Sequence, residues 1–303
     1  MAMAQRKLIS FDWAMKRLLR SKANFEVLEG FLSELLKDDI EILEILESEG
    51  NKATHDDKLN QVDLKVKNRN GEIILVEVQH DRELDYLHRI LYASSKTITE
   101  HLKEGDAYQE VVKVVSVSIL YFDLGQGQDY VYHGKTDFIG IHQHDHLQLN
   151  SRQQRMFNKQ QAYAIFPEYY LLKVNQFDGV ARDSLDEWMY FLKNGEIKED
   201  FAAKGLKKAQ EVMAVLKLSD AERAQYERYV DYMHYEASMS WSLYQDGRFD
   251  GIAEGIEQGL EQGLEQGRQE AMLNLAKNMK QAGESLEKIA SYTGLGLAQL
   301  QQL

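Results

Sequence analysis

The stretch VDLKVKNRNGEIILVEVQ, residues 62–79, decides how the rest of the chain is read. Val62, Leu64 and Val66 alternate with Asp63, Lys65 and Lys67, the period-two pattern of a half-buried strand. Asn70-Gly71 supplies a pair that tolerates positive φ, as a primed hairpin turn requires. The returning strand, Ile73 to Gln79, is apolar on both faces until Glu77 and Gln79, which stand two residues apart and so point the same way. A central strand rarely carries a carboxylate without a partner, because an unpaired buried charge is costly. The partner this hairpin suggests is a divalent cation shared by Asp63 and Glu77. From the hairpin alone, the same acids could equally be structural or solvent-facing residues of the sheet.

Outward from the hairpin, helices and strands alternate. Ser10 or Asp12 caps a helix carrying Trp13, Met15, Leu18 and Leu19, with Asp12 and Lys16 four apart on one face. A second helix starts near Asn24, with Phe25, Leu28, Phe31, Leu32, Leu35 and Leu36 at helical spacing, and both helices are expected on one side of the sheet. Residues 41–47 read as a first strand, although Glu and Leu there also favour helix. Leu84 to Lys103 reads as a long helix facing the core with Leu84, Leu87, Leu91, Ile98 and Leu102. Val111 to Phe122 is too rich in β-branched residues for a helix and returns as a strand. Residues 129–133, 147–149 and 169–174 read as additional strands.

Beyond Asp183 the strand signals vanish, and residues 183–193, 202–216 and 221–244 read as helices. Then Gly247, Gly251, Gly255, Gly259, Gly263 and Gly267 recur every four residues, with Ile252, Ile256, Leu260 and Leu264 following four of them. Each glycine costs about 1 kcal/mol relative to alanine inside a helix, so this stretch needs something to press against. Residues 270–303 read as two short helices joined near Thr293-Gly294, with Leu286, Ile289, Leu295, Leu297 and Leu300 as their seam, like a small helix-turn-helix. The expected divisions are 1–180, 181–246, 247–269 and 270–303.

The whole chain has 303 residues, 44% hydrophobic and 28% charged, which is ordinary for a globular protein with one sizeable core and an appendage. No run approaches the length of a membrane span, and MAMAQRKLISF at the start has basic residues but no apolar stretch of an export signal. With no cysteine there are no disulfides or thiolate metal sites, and the expected location is the cytoplasm. A net charge of −13 argues against indiscriminate wrapping of nucleic acid. Charge is segregated, however. Residues 1–24 hold Arg6, Lys7, Lys16, Arg17, Arg20 and Lys22 against Asp12 alone, and Lys58, Lys65 and Lys67 lie near the hairpin acids.

Asp63 followed fourteen residues later by E-x-Q on a hydrophobic strand resembles the signature of the PD-(D/E)xK nuclease superfamily, with Gln where Lys is usual. FDWAMKRLL at 11–19, DDKLNQVDLKV at 56–66, FPEYYLLKVNQF at 166–177 and SLEKIASYTGL at 285–295 extend the likeness to the Rpn family of recombination-promoting nucleases, also described as transposases. The resemblance implies an α/β (α+β) fold with an αβββαβ core: a restriction-endonuclease-like mixed sheet flanked by helices, followed by an all-α C-terminal region. It also implies hydrolysis of DNA phosphodiesters, in recombination or mobile-element biology.

Such hydrolysis needs charge on the phosphate neutralised and a water made nucleophilic, which a hard cation on oxygen ligands can do. Asp63, Glu77 and the carbonyl of Val78 are the expected ligands for Mg²⁺, or for Mn²⁺ or Ca²⁺. Gln79 can orient water but brings no positive charge, and Lys65, on the Asp63 face, could supply it. Asp12 and Lys16 match the family's D-x-x-x-K pattern, with Met15 where Phe is usual, and Lys58 has a family counterpart that could meet phosphate. The bland alternatives are a helix cap with a solvated pair, and a lysine facing water. His142, His144 and His146 are read as a polar strand edge rather than a metal site, and Tyr86, Tyr92 and Tyr108 as core aromatics.

Two functions compete. One is a metal-dependent DNA endonuclease; the other is a catalytically silent nuclease-fold module that binds DNA or a protein, favoured by the absent Lys. The glycine row suggests a homodimer through the tail, the small terminal helices either capping that contact or touching DNA. The resemblance adds a short C-terminal product of the same gene as a possible partner.

Overall fold

The computed structural model describes residues 8–17, 19, 21–46, 63–215 and 218–303. The chain forms two compact units, 1–232 and 233–303.

The first unit is built on a six-stranded mixed sheet in the order β1-β2-β3-β4-β6-β5. β1 (Ile42–Leu46), β2 (Leu64–Asn68) and β3 (Ile73–Gln79) form an antiparallel meander. β4 (Val114–Leu120) runs parallel to β3, which requires a crossover, and α3 (Tyr86–His101) provides it. β6 (Glu168–Lys173) is parallel to β4, and the short β5 (Val131–Gly134) closes the edge antiparallel to β6. With α2 (Phe25–Leu36) ahead of β1, the expected αβββαβ core is present. β3 and β4 are mostly apolar and buried on both faces, as internal strands covered by helices must be, with Glu77, Ser116 and Ser118 as buried polar exceptions.

One sheet face carries Leu64, Val66, Ile74, Val76, Val78, Val117 and Ile119 and packs on α1 (Phe11–Arg17), α2, α5 (Ser184–Asn194) and α6 (Leu206–Val212). Phe11, Phe31, Trp188 and Phe191 meet there, Phe31 and Trp188 with ring centroids 5.4 Å apart. α2 and α6 approach closely: a Cβ on Gly30 would stand 2.3 Å from the Lys204 carbonyl, and Gly205 has a φ of 83°. The other face is covered by α3, through Ile73, Leu75, Ala93 and Val114 and through Tyr86, Ile90, Leu120 and Phe122.

Several expectations need correction. α3 turns its Tyr86, Ile90, Ala93, Ser94 and Thr97 face inward, leaving Leu84, Leu87 and Leu91 exposed at 89%, 54% and 55%. The hairpin turn is not a primed two-residue turn, since Gly71 has φ 76° but Asn70 is not among the positive-φ residues. Asn68 holds the wider loop instead, its side chain accepting from the Glu72 N–H and donating to the Glu72 carboxylate. Residues 147–149 form no strand; the chain makes one bridge there, Ile139 to His146. The helix expected over 202–216 is the shorter α6, preceded by the left-handed Gly205. α7 (Asp220–Gln281) joins the expected 221–244 helix, the glycine row and the start of the terminal block into 62 continuous helical residues.

In the second unit, the rest of α7 is followed by α8 (Leu286–Thr293) and α9 (Leu297–Gln302). Ala276 of α7, Ile289 and Leu300 form a small core with Met279, Leu286 and Leu295 around it, and Lys280 donates to the Leu300 carbonyl at 2.9 Å. The seam is therefore three-sided, and Leu297 is excluded from it at 47% exposure. Among the described residues, nothing beyond the neighbouring helix backbone lies within 4 Å of where a Cβ would stand on each glycine of the row Gly247–Gly267. Among the described residues no helix is long and apolar enough to cross a membrane.

Candidate active site

The site grows from the end of the hairpin. The register that pairs Leu64 with Val76 sets Asp63 beside Glu77, and one Asp63 carboxylate oxygen accepts from the Val78 N–H at 2.7 Å. The Gln79 carbonyl faces β4, where it accepts from Tyr121, so the neighbouring Val78 peptide faces the other way, toward Asp63. Asp63, Glu77, Val78 and Gln79 are thus brought together.

Glu77 is buried on the α3 side of β3, only 5% exposed. Its carboxylate accepts from the Tyr86 hydroxyl at 3.3 Å and from the Arg89 guanidinium. Burial, the largest influence, pushes Glu77 up to about 7; Arg89 opposes that rise and the charge of Asp63 adds to it. Arg89 also donates to Glu83 at 2.5 Å, and the same Glu83 oxygen accepts from the Gln79 amide at 3.0 Å. Gln79, Glu83, Arg89 and Glu77 therefore form one connected chain of polar contacts. Burial works against the Arg89 charge, but Glu77 and Glu83 outweigh it and hold the guanidinium above its usual value.

The other expected residues lie elsewhere. Lys65 shares the α3 face of the sheet but reaches Glu100 of that helix at 2.8 Å, so it is engaged away from Glu77. Asp12 is buried, accepts from the Tyr229 hydroxyl of α7 and lies 3.9 Å from His80 Nε2; His80 in turn stacks on Tyr121 with centroids 4.5 Å apart. Lys16 belongs to α1, with its side chain outside the described residues, and Lys58 is outside them altogether. His146 pairs with Asp137 at 2.7 Å, and among the described residues no three His, Asp or Glu side chains converge as a metal-binding group.

The family described as PD-(D/E)XK nuclease family transposase matches residues 9–240. The chain belongs to this family. No curated protein and no solved structure matches it. The mixed sheet with flanking helices is the fold of PD-(D/E)XK nucleases, whose function is nuclease- or transposase-like.

A divalent cation, which PD-(D/E)XK nucleases generally use, fits the donors present. Asp63, Glu77 and the Val78 carbonyl are all oxygens, the type a hard ion takes, and two carboxylates suffice for Mg²⁺, which keeps several waters and takes substrate phosphate oxygens as well. Glu77, whose charge burial opposes, would be relieved by such an ion. Tyr86, Glu83 and Arg89 escaped the sequence reading as members of the site. The signal available was RELDYLHR, residues 82–89, read in another helical phase, with Arg89 three residues after Tyr86 on the inward side.

Proposed function

We propose that this protein is a metal-dependent DNA endonuclease of the Rpn type, acting in recombination or mobile-element biology in the cytoplasm. The observation that carries this reading is the pair Asp63 and Glu77, adjacent across the hairpin, one on the Val78 amide and the other buried with its charge poorly solvated. Bound there, Mg²⁺, Mn²⁺ or Ca²⁺ would supply Lewis-acid stabilisation of the phosphate and an acidified water. The chain's own contribution is to hold that ligand set rigid at the end of β3 and to aim Gln79 beside it. In the reaction water oxygen adds to phosphorus, the P–O bond to the leaving strand breaks, the water loses a proton and the leaving oxygen gains one. Lys16 and Lys58 are residues for DNA or phosphate contact, and Asp12, which is buried, supports that surface through Tyr229 and His80.

A catalytically silent module that binds DNA or protein is the competing reading, and Arg89 seated on Glu77 favours it, since a guanidinium already satisfies that carboxylate. Nicking of supercoiled plasmid with each of the three cations separates the two. Wild type should nick and Asp63→Ala should not, with DNA binding and fold retained; equal cleavage by both would remove the site assignment.

For the tail we propose a homodimer. Ile252, Ile256, Leu260 and Leu264 are exposed beside the glycine row, and residues 233–303 carry ten acidic against five basic side chains, which suits a protein partner better than DNA. Rows at spacing four are inclined by about 26° on a helix, so two copies would cross at about 50° with glycines at the contact. A short C-terminal product of the same gene would carry the same surface and compete for it.

A further inference from the structure

Hydrolysis at Asp63 and Glu77 builds negative charge on phosphate oxygens, and among the described residues Asp63, Glu77 and Gln79 at the strand end bring carboxylates and an amide but no cation. Lys65 is committed to Glu100. Arg89, by contrast, touches Glu77 and Glu83 from α3, lies against the Tyr86 ring at 5.9 Å and keeps its side chain 25% exposed. A guanidinium has five N–H donors in a rigid fork that matches phosphate, and the contacts to Glu77 and Glu83 do not exhaust them. Its anchor is double. Without Glu77, Glu83 still holds it, and Glu83 is itself fixed by Gln79 at 3.0 Å.

We propose that Arg89 is the catalytic cation of this site: seated on Glu77 when no metal is bound, it is held by Glu83 alone once a divalent ion takes Glu77, and its guanidinium then faces the scissile phosphate. This rests on the nuclease reading above. A cation at that place also guards the buried carboxylate in the metal-free protein, where an unpaired charge would be costly.

The test pairs cleavage with metal binding. Arg89→Ala and Arg89→Gln should lower plasmid cleavage by about 100-fold or more. The same variants, free of DNA, should bind Mn²⁺ roughly tenfold more tightly by calorimetry, because a competing positive charge has left Glu77. Gln79→Lys sets a new cation on the same strand face, so Gln79→Lys/Arg89→Gln should recover at least about tenfold of the lost rate. Arg89→Gln removes the charge while leaving a polar side chain, and its melting temperature reports whether the fold survives should the alanine variant not fold. Unimpaired cleavage by Arg89→Gln, weaker Mn²⁺ binding, or a double variant no better than the single one overturns the proposal. A wild type that cleaves no DNA with any of the three cations removes the nuclease reading and this proposal together. A cleaving wild type beside an equally active Arg89→Gln removes this proposal alone.

Discussion

Glu77 shows how one buried side chain couples site and stability. With a folded value of about 7 against the ordinary 4.5, it keeps a proton in the folded protein over a window in which the unfolded chain has released it. Its contribution is therefore fully present below pH 4.5 and is lost as pH rises to 7, roughly a few kcal/mol in all in the metal-free protein. Urea denaturation in EDTA from pH 5 to 8, comparing wild type with Glu77→Gln, checks this: wild type should lose stability relative to the variant as pH climbs, and a constant difference contradicts it. The acids were legible in the sequence because a strand announces them, as polar positions interrupting an apolar run at period two. Arg89 was not, because its choice of partner depends on which face of α3 meets the sheet, and no local pattern specifies that. Asp12 was legible as a helix cap and as half of an i,i+4 pair with Lys16, but neither its burial nor its bond from Tyr229, 217 residues away, could be read from the sequence.

α3 is the element on which sequence and structure differ most. Its leucines suggested the inward face, yet the inward residues are Tyr86 and Ile90, which pack on Leu120 and Phe122, followed by the small Ala93, Ser94 and Thr97. Hydrophobicity alone picked the wrong phase because the closest packing surface is not the most apolar one. The energetic consequence is a reversal of expectation. Ile90→Ala should cost about 2–5 kcal/mol, whereas Leu87→Ala should stay within about 0.5 kcal/mol. Chemical denaturation of the two variants decides the phase, and a costlier Leu87→Ala would mean that this face is covered in solution. The strand meander and crossover were readable since β-branched runs and a long periodic segment leave little choice. The turn at Asn68–Glu72 was not, because side-chain bonds from Asn68 fix a wider loop than Asn-Gly alone implies.

At the scale of the molecule, the tail decides assembly. Light scattering on the full chain and on a chain ending near Tyr244 should give a dimer and a monomer; equal states would exclude the tail as the contact. Gly255→Ala with Gly259→Ala sharpens this, because neither added methyl meets, among the described residues, any atom beyond the neighbouring turns of its own helix. The pair should strengthen the isolated helix by about 2 kcal/mol, yet weaken the dimer, since only a second copy can be obstructed. A long helix through the glycines was not foreseen as one continuous element, because glycine reads locally as a breaker.

The same glycines give α7 a clock. Six of them in 21 residues, from Gly247 to Gly267, leave the backbone amides with little side-chain cover, so this middle segment should open and close on its own. Deuterium should enter it quickly in dilute protein, and progressively more slowly as concentration rises and copies meet, while the amides around Ala276 and Ile289 keep their protection throughout.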